Sequence, residues 1–126
     1  LKANSVTVFL DACFSGVNRN NEMLLANARP VFLEVDNSFT DKVNVFSAAG
    51  SKQISSSWPE KKHGLFSYFL MKGMRGDADK NGDRKLTYGE LGRYLEENVS
   101  STAGLLDREQ TPSLSSQNEN SIFIAY

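Results

Sequence analysis

A short apolar strand that ends in an acidic residue and a cysteine constrains this chain more than any other feature. The apolar run 6–10 is followed by Asp11 and, two positions later, by Cys13, with Gly16 after it. A run of this length with β-branched residues is typical of a buried parallel strand. Reacting groups in open α/β sheets collect at the carboxyl edge of such strands. The pattern therefore predicts an α/β protein with Cys13 at that edge.

Composition limits the class of protein. With 126 residues, 40% of them hydrophobic and 23% charged, the chain fits a single domain. The net charge of −1 gives no basic surface for nucleic acid, and no polybasic tract or long apolar run indicates a membrane partner. One cysteine excludes an internal disulfide framework and an all-cysteine zinc site. This cysteine usage favours a cytoplasmic, reducing location.

The remaining chain predicts alternating strands, loops and helices. Strands are expected at 31–35 and 43–46, and apolar residues at helical spacing predict two helices. Segments 51–62, 76–85 and 100–120 are polar and are predicted to be loops. The predicted bounds of the other elements are 5–13 for the first strand, 17–30 for a loop, about 64–75 and 88–99 for the helices, and about 121–125 for the last strand.

Several further motifs follow in one order along the chain. Each later motif is weak alone, but the ordered set is specific and covers nearly the whole chain. It resembles the caspase-like cysteine peptidases, especially metacaspases and their bacterial relatives. The motifs are Asp11-Ala12-Cys13, the Ser-x5-Gln-x-Ser pattern of Ser47, Gln53 and Ser55, the pair Ser57-Trp58, the segment His63-Gly64-Leu65-Phe66-Ser67-Tyr68, the loop 79–83, Glu90-Leu91 and Gln110-Thr111-Pro112.

This resemblance implies a three-layer α/β/α sandwich with a mainly parallel sheet and catalysis by a Cys-His dyad. Cys13 would attack a peptide carbonyl and form a thioester that water hydrolyses, with no cofactor required for the chemistry. In this family the His follows an earlier strand, and no His precedes Cys13 here. We therefore expect residues 1–126 to be the C-terminal part of one peptidase domain, whose N-terminal part supplies the His. His63, the only histidine, is expected to be a bystander.

Asp11 indicates the substrate. On an extended strand its side chain shares a face with Cys13, and a buried carboxylate there needs a cation. In metacaspases the matching Asp binds an Arg or Lys at P1, the residue before the cleaved bond. Caspases, which cleave after Asp, have an Arg where this chain has Pro59. The resemblance thus implies a protein or peptide substrate with P1 Arg or Lys. The alternative for Asp11 is a structural hydrogen bond to a loop backbone. Further implied substrate-binding residues are Ser47, Gln53, Ser55, Ser57 and Trp58.

The loop 17–30 offers two candidate sites for self-cleavage. Arg19 and Arg29 lie in a polar segment close in sequence to Cys13, and exposed loops are where chains are cut. An Arg-directed enzyme would cut more readily after Arg19, because Pro30 follows Arg29 and hinders cleavage there.

Residues 79–90 have the spacing of a calcium-binding loop. Position six, where such loops carry Gly, is Arg84. The same residues also fit a turn followed by a capping box of Thr87 and Glu90 that opens a helix. Both interpretations are open at this point. The residues at positions one, three, five and twelve are Asp79, Asn81, Asp83 and Glu90, which makes Ca²⁺ a candidate ligand.

Two other classes of function also fit the sequence. The chain could belong to a caspase-like pseudoenzyme or interaction module, which acts by assembly, or to a calcium-responsive binding domain. A His-Gly after a strand upstream of this segment would favour catalysis, and its absence would favour a scaffold.

Overall fold

A computed structural model describes residues 4–11, 42–50, 53, 55, 57, 58 and 63–126. The predicted strand at 31–35 and the loop at 17–30 lie outside these residues. Within them, the chain combines helices with a three-stranded sheet and two two-stranded pairings, so the predicted α/β class is confirmed. The elements are β1 (Val6–Leu10), β2 (Val43–Ser47), β3 (Ser57–Trp58), β4 (His63–Gly64), α1 (Leu65–Lys72), β5 (Lys85–Thr87), α2 (Tyr88–Leu105), β6 (Ser113–Ser115) and β7 (Ile122–Ala125).

The three-stranded sheet has the order β1-β2-β6 and is mixed. β1 and β2 are parallel, with Val6 opposite Val43, whereas β6 runs antiparallel to β2. Phe9 and Phe46 lie opposite each other on the same face, and their rings stack with centroids 5.2 Å apart. The parallel pairing predicted from the apolar character of β1 is therefore present, next to an antiparallel strand in a segment predicted to be a loop.

The core lies between this face of the sheet and the two helices. Tyr88, at the start of α2, packs its ring against both Phe46 and Phe123. Its hydroxyl also hydrogen-bonds the hydroxyl of Thr7 at 2.9 Å, which ties α2 to β1. The core side chains with at most 1% exposure include Phe46, Leu65, Phe66, Leu86, Leu91, Leu95 and Val99.

Helix α2 is longer than predicted. It begins with the predicted capping box, because the Thr87 hydroxyl accepts from the Glu90 N–H and the Glu90 carboxylate accepts from the Thr87 N–H. It then continues to Leu105, so the prediction that 100–105 is a loop was wrong. Val99 and Ala103 are fully buried and four residues apart, and this buried stripe carries the helix through a polar sequence.

Helix α1 ends in a turn of π-helix over Gly73–Asp77. Gly76, with φ of 117°, stops the helix in a conformation that favours glycine. Gly73 lies where α1 and α2 approach each other: a Cβ there would be 3.0 Å from Leu91 and Tyr94 side-chain atoms. The helical region thus begins and ends within about two residues of the predicted 64–75.

Two short antiparallel pairings complete the described structure. β3 pairs with β4, and β5 pairs with β7 next to the loop at 79–84. Segment 85–87 is therefore a strand, so the prediction that the loop extends to residue 85 was wrong. The predicted capping box at Thr87 is present. Among the described helices, none combines the length and apolar character needed to cross a membrane.

Candidate functional site

The carboxylate of Asp11 is the centre of a polar cluster at the carboxyl end of β1. Ser55 Oγ donates a hydrogen bond to one carboxylate oxygen, and Ser67 Oγ donates to the other. Asp11 is half-buried, and Ser55 is fully buried. We call Asp11, Ser55 and Ser67 the Asp11 cluster. The sequence predicts that Asp11 and Ser55 bind substrate, whereas it gives no role to Ser67.

Different elements hold the two hydroxyls. Ser67 is the third residue of α1, and its neighbours Leu65 and Phe66 are buried in the core at 0% and 1% exposure. Ser55 follows the segment that leaves β2. Because the core side chains of α1 fix the helix, the Ser67 hydroxyl is held in a fixed position next to the end of β1.

The segment around Ser47 and Gln53 is braced by the C-terminal part of the chain. The Gln53 side-chain oxygen accepts from the N–H of Gly50 at 3.1 Å and from the N–H of Thr111 at 2.8 Å. Gln110, only 1% exposed, donates its amide to the carbonyl of Ala48 at 2.9 Å. The Ser47 hydroxyl donates to the Ala49 carbonyl at 3.0 Å. These bonds position the segment that presents Ser55, and the predicted substrate-binding role of Ser47 and Gln53 stays a prediction.

Trp58, in β3, forms an aromatic cluster with Tyr68 and Phe69 of α1. Its ring lies 5.1 Å from the Tyr68 ring, edge to face, and 5.8 Å from the Phe69 ring, stacked. The backbone of Ser57 pairs with Gly64 in the β3–β4 hairpin. Trp58, in β3, therefore packs against the two α1 residues that directly follow Ser67. Its predicted contact with substrate is not tested by this geometry.

Two ionisable groups lie at the far end of this aromatic cluster. Burial raises the pKa of Tyr94, whose ring packs against Phe69. The pKa of Lys72 is raised chiefly by its hydrogen bond to Asp77, with Nζ 3.1 Å from the carboxylate. Both shifts favour the protonated form, so near pH 7 Tyr94 is neutral and Lys72 is positively charged.

Three predicted site residues lie outside the described part of the chain. They are Cys13, predicted to be the nucleophile, and the self-cleavage candidates Arg19 and Arg29. His63 lies within the described part of the chain. It is exposed in β4, opposite Trp58, and Gly64 separates it from α1.

The loop at 79–90 is held by its own backbone. Asp79 accepts from the N–H of Gly82 at 2.9 Å and from the N–H of Arg84 at 3.0 Å. The side chains at loop positions three and five likewise accept from backbone N–H groups two residues later. Arg84 adopts a left-handed φ of 64°, so position six has the conformation that glycine usually provides.

The predicted metal ligands hydrogen-bond to each other and to nearby backbone groups. Asn81 donates its amide to Glu90 Oε1 at 2.9 Å, while Glu90 Oε2 serves the capping box. Within the described ranges, no three His, Cys, Asp or Glu side chains form a group that could hold a metal ion. The capping box is thus confirmed, and calcium binding by Asp79, Asn81, Asp83 and Glu90 stays a prediction.

Sequence reasoning missed Ser67 of the Asp11 cluster and two residues that brace the segment leading to Ser55. Ser67 lies in the motif at 63–68, but its position two residues after Leu65 gives no sign of a contact with Asp11. Gln110 and Thr111 were noted only as part of a Gln-Thr-Pro motif, although both brace the segment leading to Ser55. Gln110, an amide residue two positions before Pro112, was the only sequence signal for this bracing contact.

Comparison with known proteins adds no family assignment. No protein-family model and no protein of curated function matches this chain. The functional conclusion therefore depends on the sequence motifs and on the geometry described above.

Proposed function

We propose that this chain forms part of a caspase-like cysteine endopeptidase that hydrolyses peptide bonds after Arg or Lys. Cys13 is the nucleophile, and the N-terminal part of the same peptidase domain supplies the His. The substrate is a protein or peptide, and the reaction requires no cofactor.

The observation that carries the proposal is the convergence on Asp11. Three sequence motifs that are separate in the chain meet at one carboxylate: Asp-x-Cys supplies Asp11, Gln-x-Ser supplies Ser55, and the helix-opening motif supplies Ser67. A half-buried carboxylate at the carboxyl end of a parallel strand is suited to bind a cation. A P1 Arg or Lys is the cation that the resemblance implies.

The chemistry requires one base and one nucleophile. The His takes the thiol proton, and the Cys13 thiolate adds to the scissile carbonyl. The carbon–nitrogen bond then breaks, and the His returns the proton to the leaving amine. Water, deprotonated by the same His, hydrolyses the thioester and regenerates the thiol. Asp11 takes no proton in this scheme, since it binds the P1 side chain.

The arrangement of the sheet supports a three-layer sandwich with a mainly parallel sheet. Phe9 of β1 faces the helices, while Val6 and Val8 lie on the opposite face, next to the largely buried Val45 of β2. Apolar side chains on both faces are typical of parallel sheets covered on both sides. The N-terminal part of the domain would add strands beside β1.

The nucleophile is tested on the complete predicted domain. An Arg-ended acyloxymethylketone should label Cys13, and Cys13→Ala should abolish both labelling and cleavage of Arg-aminomethylcoumarin peptides. His63→Ala is the matched control and should retain activity. The 126-residue chain alone lacks the upstream base and should show no turnover, since acid–base help worth about 10²–10⁴-fold is missing.

Each other outcome has a defined meaning. Activity that survives Cys13→Ala would refute the assignment of the nucleophile. A complete domain that neither reacts with the label nor cleaves peptides would favour the interaction-module alternative. Turnover by the isolated chain that is lost in His63→Ala would identify His63 as the base.

A further inference from the structure

Ser67 makes a contact that the proposed peptidase chemistry does not use. Its hydroxyl donates to one oxygen of the Asp11 carboxylate, while the Ser55 hydroxyl donates to the other oxygen. Ser67 is held on α1 by the buried neighbours Leu65 and Phe66. The carboxylate is therefore gripped at both oxygens by donors from two separate segments.

A donor on each oxygen restricts rotation of the carboxylate about its Cβ–Cγ bond. Held in this way, the carboxylate presents both oxygens in a fixed plane. A guanidinium is a planar fork that binds the two oxygens of a carboxylate together, so its binding depends on that plane. An ammonium is a point charge with rotatable donors, so its binding depends on the plane much less.

We propose that Ser67 is a positioning residue that holds Asp11 for two-point binding of a guanidinium and so favours P1 Arg over P1 Lys. The inference rests on the proposed function, because it assumes that Asp11 binds the P1 side chain. Ser67 does not contact the substrate and acts through Asp11. Ser55 supplies the second hydrogen bond that holds the Asp11 carboxylate.

The test compares matched Arg and Lys aminomethylcoumarin peptides cleaved by the complete domain. Ser67→Ala should lower kcat/KM about tenfold for the Arg peptide and about twofold for the Lys peptide, so the Arg:Lys ratio falls about fivefold. The loss should lie in KM, with kcat changed less than about twofold, because the P1 side chain is bound equally in the ground and transition states. Ser67→Thr keeps the hydroxyl and should restore the ratio.

Two controls separate positioning from general damage. Ser101→Ala removes another helical serine hydroxyl, which donates to the Glu97 carbonyl on the exposed part of α2, and should leave the ratio unchanged. Ser55→Ala removes the donor on the other oxygen and should lower the ratio as Ser67→Ala does. It also serves as the test should Ser67→Ala fail to fold.

The outcomes separate the proposed function from the positioning role of Ser67. A parent domain that does not cleave after Arg or Lys would refute the proposed function itself. A parent that cleaves after Arg, with an unchanged Arg:Lys ratio in folded Ser67→Ala and Ser55→Ala, would refute the positioning role alone. A fall in kcat with KM unchanged would also contradict it, since it would place Ser67 in the chemical step.

Discussion

Two carboxylates in this protein are held by hydrogen bonds of opposite origin. Asp11 accepts from the hydroxyls of Ser55 and Ser67, which lie 44 and 56 positions away in the chain. Asp79 accepts from the backbone N–H groups of Gly82 and Arg84, only 3 and 5 positions away. One carboxylate is thus held by tertiary structure and the other by its own loop.

Under the proposed function, this difference separates a substrate-binding carboxylate from one that stabilises the fold. Backbone donors close a turn and do so wherever the local sequence is intact, so the loop around Asp79 stabilises the fold locally. The hydroxyls around Asp11 meet only after β1 and α1 are packed together. We therefore expect changes at Asp11 to alter activity and changes at Asp79 to alter stability.

The largest effect is expected at Asp11. Breaking a buried ion pair costs about 3–5 kcal/mol, so Asp11→Ala should lower kcat/KM on Arg peptides by several hundred-fold or more. Asp11→Asn keeps an acceptor for one hydroxyl and removes the charge, so it should lose nearly as much activity with less effect on folding. Steady-state kinetics of the complete domain, after a check of Tm, measure both.

Asp79→Ala is the matched variant for the other carboxylate, and it should leave kcat/KM within about twofold of the parent. A comparable loss of kcat/KM in Asp11→Ala and Asp79→Ala would show that the two carboxylates do not differ in role. Equal cleavage after Asp and Arg by the parent domain would refute the role of Asp11 in specificity, whatever the variants do.

A smaller effect, on stability, is expected at Asp79. Asp79→Ala leaves two backbone N–H groups to water and should lower the free energy of unfolding by about 1–2 kcal/mol, because the loop is largely exposed. Glu109→Ala removes an exposed carboxylate outside the loop and should change stability by less than about 0.5 kcal/mol. Urea unfolding followed by circular dichroism measures the difference.

Repeating these unfolding experiments with calcium and with EDTA tests the predicted metal site. A calcium-dependent rise in the Tm of the parent that is absent in Asp79→Ala would establish the site. Identical parent Tm values in both conditions would assign the loop carboxylates to hydrogen bonding alone.

The smallest effect is expected at the N-cap of α2. Thr87→Ala removes the hydroxyl that accepts from the Glu90 N–H and should cost about 1 kcal/mol of stability. Thr87→Ser keeps the hydroxyl and should stay close to the parent. Neither variant should change the Arg:Lys ratio, and a change would show that the helix start is coupled to the Asp11 cluster.

Local features were predictable from sequence. The capping box of Thr87 and Glu90 and the start of α2 depend on residues within one turn, so their spacing was sufficient. The apolar run 6–10 likewise predicted a strand, and β1 is parallel to β2 as expected. Such features require only periodicity and short-range hydrogen bonds.

Features that depend on distant contacts were not predictable. Segment 113–115 is a polar Ser-Leu-Ser run, and it becomes a strand only because β2 offers it an edge and Leu114 packs against Gly92 of α2. The contact of Ser67 with Asp11 follows from how α1 packs over β1, which no local pattern encodes. Thus the sequence predicted substrate-binding roles for Asp11 and Ser55 but gave no role to Ser67, although Ser67 lies in one of the same motifs.

The separation of Asp11 from Ser67 along the chain determines when the Asp11 cluster can form during translation. The capping box of α2 and the turn at 79–84 depend on near neighbours, so their hydrogen bonds can form soon after these residues are synthesised. Asp11 must wait for Ser67, 56 positions later, which takes several seconds at about 5–20 residues per second. Under the proposed function, the pocket around Asp11 would therefore stay incomplete until α1 has left the ribosome.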